Sequence, residues 1–416
     1  MPGEFAINEP PKAAIDLDQL KLSEAVERLR KYIVGERYRG YDPFDGLMSP
    51  VFRLPSLRSN KMVRFGFQQV LRRIPFNWRP ALRVQKGLNP VTLGLCIQAY
   101  AYLSQVNKQD SDLYLTEIRF CLDRLQDLCS ERYSDACWGY DFDWQGRYAN
   151  IPAFTPTVVA TGMIENGLYE YYKFYQDPVA RELILSSAEF VLKDLNRTYE
   201  DDTFCFSYSP NDRQVVFNAT MKGARILSHA YAISRDVRYL EQAGATARFV
   251  INHQRPDGSW PYSLGDARSW VDNFHTGYIL DCLDSYGAVM PDGRTHSSIQ
   301  SGVDFYKRNL FTPDGVPKYY SNRVYPIDST AIAQSILTLC RFRKLDRAKK
   351  IAMWAIDNMQ DESGRFYYQK HNRWTNRTPY MRWSDAWMFA ALSYLLLTLQ
   401  GDGGTGGISN SNWLAW

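Results

Sequence analysis

The feature that most constrains the fold is a unit of sequence that recurs along the chain. In its clearest copy, a helix-like segment ends near His253, a tight turn follows at Asp257-Gly258, and an aromatic strand-like piece follows at Trp260–Tyr262. A polar loop then leads into a second, apolar helix. Pro256 and the turn glycine explain the break, because proline cannot continue a helix and glycine tolerates positive φ. We interpret the unit as helix, aromatic hairpin, polar loop and helix.

The unit recurs often enough to close a ring. Further copies lie at Thr312–Tyr320 and Met359–Tyr368, and looser copies lie within residues 133–157 and 199–218. Internal repeats of this kind indicate a repeat architecture. The apolar, inner-type helices are predicted to begin near Pro90, Pro156, Asn218, Asp272, Asp328 and Asp385. Six such helices predict an all-α fold, an (α/α)6 toroid with short β-hairpin-like loops at one face.

Amphipathic helices are predicted between the inner ones, at residues 113–128, 178–195, 237–253, 297–310 and 346–359. Their connections back to the preceding inner helices are short and polar, whereas the loops at the other end are long. This asymmetry places the N-termini of all six inner helices around one funnel. We expect any binding site to lie there.

The repeat also predicts how the chain is divided. Residues 1–20 are Pro-rich and polar and are expected to be disordered or extended. Residues 21–87 form an N-terminal helical, basic extension packed on the toroid. The toroid itself spans residues 88–399, and residues 400–416 form a flexible tail.

Composition narrows the class of protein. The net charge is only +4, and the seven cysteines include no close pair, which argues against a disulfide framework and a cysteine-based zinc site. No phosphate-binding loop, dinucleotide fingerprint or serine-hydrolase elbow is present. The chain shows neither a secretory leader nor an apolar run long enough to span a bilayer. We expect a cytoplasmic enzyme without cofactor or metal, and the oligomeric state stays open.

Residues 58–86 carry eight cations among apolar side chains and no acidic residue. Such a stretch can be a solvated helix face, a site that docks on an anionic membrane or a partner, or a device that steers an anionic substrate. Nucleic acid is not expected, because no recognised nucleic-acid-binding motif accompanies the charge. We predict a cytoplasmic protein, and its association with a membrane through this stretch stays open beside the solvated-face interpretation.

Three aspartates stand at predicted inner-helix starts: Asp272, Asp328 and Asp385. Asp favours the N-cap position because its carboxylate accepts free backbone N–H groups, so capping alone can explain each one. Carboxylates that converge on one funnel beside His275 also form an acid–base constellation. We predict His275, Asp272, Asp328, Asp385 and Asp143 as catalytic.

Two resemblances support the toroid. The run Gln254–Trp260 resembles the QW repeat of terpenoid cyclases and protein prenyltransferases, and Gln360–Phe366 is a weaker copy. Across residues 40–398, the runs WGYDFDWQ, WVDNFHTGY, VYPIDSTAIAQ and YMRWSDAWMF resemble a bacterial toroid family found among polysaccharide-biosynthesis enzymes. The resemblance implies the (α/α)6 fold and a role in polysaccharide biosynthesis. DNFHTGYIL also resembles the stretch with a zinc-binding histidine in prenyltransferases, but the Asp-x-Cys of those enzymes is missing.

The front loops combine aromatic rings, polar groups and cations, which suit the faces of sugar rings and an anionic substituent. The predicted substrate-binding residues are Asp141, Trp144, Asn218, Trp260, Tyr262, Tyr319, Arg323, Tyr368, Tyr380, Arg382 and Trp383. We expect an enzyme acting on a uronate-containing or phosphorylated glycan or glycolipid by hydrolysis, elimination or C5 epimerisation. Two alternatives are an isoprenoid cyclase or prenyltransferase-like enzyme and a non-catalytic glycan-binding protein.

Overall fold

The computed structural model describes residues 17–403, which are mainly helical. The helices in chain order are α1 (Leu17–Gly35), α2 (Pro55–Ser59), α3 (Lys61–Arg73), α4 (Pro90–Val106), α5 (Ser111–Asp127), α6 (Val158–Tyr175), α7 (Pro178–Asp194), α8 (Phe217–Ser234), α9 (Val237–Asn252), α10 (Asn273–Val289), α11 (Gly293–Asn309), α12 (Ser329–Arg341), α13 (Leu345–Met359) and α14 (Trp387–Gly403). A π-helical segment, Met381–Ala386, leads into α14. Residues 1–16 and 404–416, which include most of the two predicted flexible ends, lie outside the described residues.

Two concentric rings of helices make up the molecule. The inner ring is formed by α4, α6, α8, α10, α12 and α14, each packed on the next, and α14 packs back on α4. The outer helices α5, α7, α9, α11 and α13 each pack on the inner helix that precedes them in sequence. The inner helices are buried on nearly every side, as their apolar sequences predict. The predicted (α/α)6 toroid is therefore confirmed.

The sixth outer helix comes from the N-terminal end of the described chain. Helix α1 packs against α13 and α14, and it buries Leu22, Ala25, Val26, Leu29 and Ile33. Its polar side is joined to α13 through ion pairs, among them Lys21 with Asp357. The predicted extension at residues 21–87 thus contains one helix of the ring, and we propose that the domain boundary lies after α1.

Two of the recurring hairpins fasten one outer helix to the next. In the first QW-like copy, Gln254 donates to the carbonyls of Gly258 and Ser298, at 3.0 and 2.9 Å, and so reaches α11. The buried Trp260 indole donates to the Val250 carbonyl at 2.9 Å. Gly258 has φ of +92°, and a Cβ there would lie 2.3 Å from the Ser301 carbonyl oxygen. The motif is therefore a structural clamp that admits only glycine at its turn.

The second copy does the same for α1. Gln360 donates to the Gly364 carbonyl at 2.8 Å and to the Ala25 carbonyl at 2.9 Å. A Cβ on Gly364, whose φ is +93°, would lie 2.4 Å from the backbone of Arg28. This hairpin closes the outer ring between α13 and α1.

The strands are short and belong to the loops at the N-terminal ends of the inner helices. Antiparallel pairs join β1 (Trp144–Gln145) to β2 (Asn150–Ile151) and β3 (Arg197–Glu200) to β4 (Thr203–Phe206). A three-stranded sheet has the order β5 (Ile327–Asp328), β6 (Gln369–Lys370) and β7 (Thr375–Asn376). Within residues 17–403, no helix combines the length and apolar character needed to cross a bilayer.

The assignment of α1 to the ring predicts its contribution to stability. Leu29 is fully buried, whereas Leu20 on the same helix is about half exposed. Leu29→Ala should lower the free energy of unfolding by about 2–5 kcal/mol, because it leaves a cavity against α13 and α14. Leu20→Ala should change it by less than about 0.5 kcal/mol. Urea unfolding followed by circular dichroism measures both, and equal effects would contradict the assignment.

Candidate active site

A cavity of about 430 Å³ opens at the funnel end of the toroid. Its wall is formed by α3, the loop around β1, the loops that lead into α8 and α10, and the π-helical segment before α14. The lining is rich in Tyr, Trp and Phe, with arginines among them. Tyr278 contributes to the floor, and beneath it the Lys222 Nζ lies 4.0 Å from the ring centre. Burial lowers the pKa of Lys222 to about 7.

The first turn of α10 places a carboxylate–imidazole pair in this cavity. Asp272 caps the helix, since its Oδ1 accepts from the backbone N–H of His275 at 2.9 Å. Its Oδ2 lies 2.6 Å from Nδ1 of the same histidine. Asp272 is almost completely buried, whereas His275 retains partial exposure to the cavity. The pair leaves Nε2 as the imidazole nitrogen available to a ligand.

Aromatic rings hold the imidazole on its other sides. Tyr262 lies edge-on to His275 with ring centres 4.6 Å apart, and Phe274 lies 4.3 Å away. Burial raises the pKa of Tyr262 and of Tyr278, so both phenols stay protonated and can donate near neutral pH. The histidine therefore has a defined orientation before any ligand binds.

Arg382 forms another part of the wall and is itself positioned by a carboxylate. Its Nε donates to Asp42 Oδ2 at 2.6 Å. The guanidinium lies over the rings of Tyr140 and Trp383, at 4.8 and 5.1 Å. The loop that carries Asp42 is fixed in turn by the buried Arg79, which donates to its carbonyl at 2.7 Å. Asp42 was not predicted from sequence, because it lies 340 residues from its partner in the chain.

Arg72 is another cation of the cavity, and it was not among the site residues predicted from sequence. It projects from α3 into the cavity and lies 5.1 Å from the Phe44 ring centre. Two other arginines of the cavity are neutralised, since Arg268 lies 2.5 Å from Asp266 and Arg382 lies 2.6 Å from Asp42. Arg72 forms no ion pair with a carboxylate of residues 17–403. Its charge is therefore left for a ligand.

Half of the predicted site residues line the cavity. They are Asp272, His275, Trp144, Asn218, Tyr262, Tyr319, Arg382 and Trp383. The other half do not line it, and they are Asp141, Asp143, Trp260, Arg323, Asp328, Tyr368, Tyr380 and Asp385.

Two of the predicted catalytic carboxylates lie buried behind the wall. Asp328 caps α12 through the Thr330 N–H, and it also accepts from the Trp383 indole at 3.0 Å and from Gln369 at 2.7 Å. Burial raises its pKa to about 6. Asp385 accepts from the Phe366 N–H at 2.7 Å, and burial raises its pKa well above the usual range. Both stabilise neighbouring backbone or side chains rather than facing the cavity.

Other predicted residues hold the loops. Asp141 accepts from Asn89 at 2.6 Å, and burial raises its pKa to about 6. Asp143 accepts from the Ala153 N–H at 2.9 Å, and the Tyr380 hydroxyl accepts from Arg79 at 2.8 Å. Aspartates and tyrosines in the repeat loops were predicted as ligands because of their position. Their side chains instead satisfy backbone and charge partners inside the loops.

The described residues offer no evident set of metal ligands at this site. Among residues 17–403, no three or more His, Cys, Asp or Glu side chains are grouped so that they could hold an ion.

Comparisons with known proteins support the fold. Cellobiose 2-epimerase from Bacillus thermoamylovorans matches with a TM-score of 0.61 and 11% identity, over 90% of this chain and 99% of that chain. An unsaturated glucuronyl hydrolase from Streptococcus agalactiae matches with a TM-score of 0.56 and 11% identity, over 95% of this chain and 98% of that chain. A GH76 α-mannanase from Bacteroides thetaiotaomicron matches with a TM-score of 0.57 and 12% identity, over 76% of this chain and 88% of that chain. No family model and no curated protein matches the sequence.

The environment of Asp328 predicts a pH dependence of stability. Because its pKa is raised from 3.8 to about 6, its contribution to stability is fully present below about pH 4 and is lost as pH rises through 6. Asn cannot titrate, so Asp328→Asn should lack this loss. Relative to the variant, the parent should lose up to about 3 kcal/mol of unfolding free energy between pH 4 and 7. Urea unfolding across that range measures the difference.

Asp266 supplies the matched control. Burial opposes its ionisation, but hydrogen bonds from Arg268 and Ser263 outweigh this and lower its pKa to about 2. The Asp266 carboxyl is therefore ionised in the folded protein above about pH 4, and its contribution to stability is present there. The difference between the parent and Asp266→Asn should stay flat from pH 4.5 to 7. If the difference in unfolding free energy between the parent and Asp328→Asn were also independent of pH, the raised pKa of Asp328 would be contradicted.

Proposed function

We propose that the protein is an enzyme that acts on an acidic glycan by acid–base chemistry centred on His275. The observation that carries the proposal is the Asp272–His275 pair, with Nδ1 and Oδ2 2.6 Å apart, at the edge of an aromatic cavity. Histidine is the side chain most often used to take and return a proton in catalysis. A carboxylate at Nδ1 fixes the tautomer and stabilises the imidazolium that forms.

The charges of the cavity favour an anionic substrate. Arg72 is an unneutralised cation in the wall, and Arg382 adds donors beyond the one given to Asp42. Guanidinium groups bind carboxylate and phosphate with paired hydrogen bonds. The surrounding Tyr and Trp rings offer flat surfaces of the kind that pack on sugar rings. A uronate-containing glycan fits both features, and a sugar phosphate fits the charge.

Among the reactions open to such a site, proton abstraction next to a uronate carboxylate is the best supported. Two-carboxylate hydrolysis needs a pair of acids flanking the scissile bond. Asp272 is the only Asp or Glu of the described residues that lines the cavity, and it is bound to His275. A single base with nearby cations suits removal of the C5 proton, because the cations stabilise the negative charge that develops on the carboxylate.

Two outcomes follow from the same first step. In β-elimination, the electrons of the C5–H bond form a C4–C5 double bond, the bond from C4 to the glycosidic oxygen breaks, and that oxygen receives a proton. In C5 epimerisation, a proton returns to the opposite face of C5. Neither outcome requires a redox cofactor. The epimerase and glucuronyl hydrolase that share this fold make carbohydrate chemistry on such a scaffold plausible, and we propose a role in polysaccharide biosynthesis.

Substitution of the pair tests the acid–base role. His275→Gln and Asp272→Asn should each lower the turnover of an oligouronate by about 100-fold or more, the scale of one lost acid or base. Asn can still cap α10, so the fold should persist in Asp272→Asn. A new reducing end without an unsaturated product reports hydrolysis, a new reducing end together with an unsaturated ultraviolet-absorbing product reports elimination, and deuterium uptake from D2O into an uncleaved product reports epimerisation.

His296→Gln is the matched control, because His296 lies on the outer helix α11 and does not line the cavity. It should leave turnover unchanged. Full activity of both His275→Gln and Asp272→Asn would contradict the assignment. Oligouronate binding without turnover in any of the three assays would favour a glycan-binding protein, and binding of an isoprenoid diphosphate in preference to the oligouronate would favour the isoprenoid alternative.

The position of Arg72 in the cavity wall leads to a prediction about how the negative charge of the ligand is recognised. Tri-galacturonate and its methyl ester differ in charge but share the sugar rings. Arg72→Gln should weaken binding of the free acid by about 10- to 100-fold, the range of a lost charged hydrogen bond, and should leave binding of the ester nearly unchanged. Isothermal calorimetry measures both ligands, so the test does not depend on turnover.

Arg147→Gln is its control, because Arg147 also lines the cavity but is exposed, and its charge is screened by solvent. Arg147→Gln should weaken binding of the free acid less than Arg72→Gln does. An equal loss for the acid and the ester in Arg72→Gln would show that Arg72 acts through packing rather than through charge.

A further inference from the structure

The surface beside the cavity mouth exposes large apolar side chains to an unusual extent. Its residues come from the segment before α2, from α2 and α3, and from the loop that follows. The exposed fractions are 56% for Leu54, 74% for Met62, 61% for Val70, 71% for Phe76 and 53% for Trp78. Proteins that remain surrounded by water rarely expose large apolar residues in a group. We call this surface, from Val51 to Arg83, the basic-apolar patch.

Cations surround these apolar side chains. Arg53, Arg58, Lys61, Arg73 and Arg83 are exposed, and none forms an ion pair with a carboxylate of the described residues 17–403. The sequence contains no Asp or Glu between Asp45 and Asp110. The patch is therefore positive and apolar at once, with nothing acidic in its own chain segment to offset it.

Helix α3 shows how the patch relates to the cavity. It turns Gln68 and Leu71 inward, and it contributes Phe65 and Arg72 to the cavity wall. The side left to solvent carries Met62, Val63 and Val70. An ordinary surface helix would present polar residues there. One helix thus forms a wall of the cavity and an apolar outer face, so the two lie within about 10 Å of each other, the width of a helix.

We propose that the basic-apolar patch docks on an anionic lipid surface. Apolar side chains enter the boundary between headgroups and acyl chains, Trp78 suits that boundary, and the cations bind the headgroups. The complementarity of charge favours lipid over a neutral protein groove. A second copy of this chain would bring two positive patches together, which like-charge repulsion opposes.

Docking in this way has a consequence for the substrate, and this step rests on the proposed function. The cavity mouth would be held beside the lipid headgroups. The glycan that reaches His275 would then be one attached to a lipid anchor, with its sugars just above the membrane surface.

Vesicle sedimentation with the full-length protein tests the proposal. The parent should bind phosphatidylcholine vesicles that contain phosphatidylglycerol at least ten-fold more tightly than vesicles of phosphatidylcholine alone. Two variants separate the contributions. Replacing Met62, Val70, Phe76 and Trp78 by Gln removes the apolar part, and replacing Arg53, Arg58, Lys61 and Arg83 by Glu reverses the charge. Each should reduce binding at least ten-fold, and binding by the parent should weaken as salt is raised.

Matched controls carry the same changes elsewhere. Gln at Leu113, Phe120 and Val237, which are exposed on outer helices, should leave vesicle binding unchanged, as should Glu at Arg132, Arg255 and Lys350. Quenching of tryptophan emission by brominated lipid should be reduced in Trp78→Phe and unchanged in Trp374→Phe. Circular dichroism of every variant confirms that the fold is retained.

The outcomes are separable from those of the catalytic proposal. His275→Gln should bind vesicles like the parent, and the patch variants should retain turnover of a soluble oligouronate. Failure of the parent to bind anionic vesicles, or unchanged binding by both patch variants, would overturn the proposal. A parent that is dimeric in solution and becomes monomeric in the patch variants would assign the patch to a second copy instead.

Discussion

Closure of the ring is the constraint on which the rest of the structure depends. An inner helix is apolar on nearly every side and is stable only with neighbours on both flanks and an outer helix behind it. Helix α14 has such surroundings only because α4 lies on one side, α12 on the other, and α1 behind. The hairpin clamp of Gln360 on the Ala25 carbonyl fixes that last contact. With the ring closed, the N-termini of the inner helices and their loops meet at one end.

The site is built from the requirements of those helix ends. A helix start leaves backbone N–H groups without partners, and an aspartate satisfies them with one or both oxygens. Asp272 caps with Oδ1 and orients His275 with Oδ2, whereas Asp328 caps α12 and holds the Trp383 indole. The same structural role therefore yields a carboxylate–imidazole pair at one helix and a support for an aromatic wall at its neighbour. The difference depends on which residue stands one turn further on.

The fold was largely predictable from sequence because it depends on local signals that repeat. Helix periodicity and Pro or Gly at the turns located the inner helices to within a few residues. The contact between Asp272 and His275 was predictable because one helical turn relates the two residues. Trp260 and Tyr368 were predicted as ligands but are needed inside the hairpins, since small aromatic loops must supply their own core. Asp42 and Arg72 were missed because they reach the site from a segment outside the repeat, through contacts that no local pattern encodes.

The sixth outer helix has a further consequence for biogenesis. Helix α1 precedes its partners in the chain, because the clamp that receives it comes from Gln360, 335 residues after Ala25. At a synthesis rate of about 5–20 residues per second, the apolar face of α1 waits on the order of 15–60 s for its partners. During that time the apolar face of α1 is exposed, and chaperones bind exposed surfaces of this kind. Moving α1 to the C-terminal end by circular permutation would place it next to its partners in the chain and remove the delay.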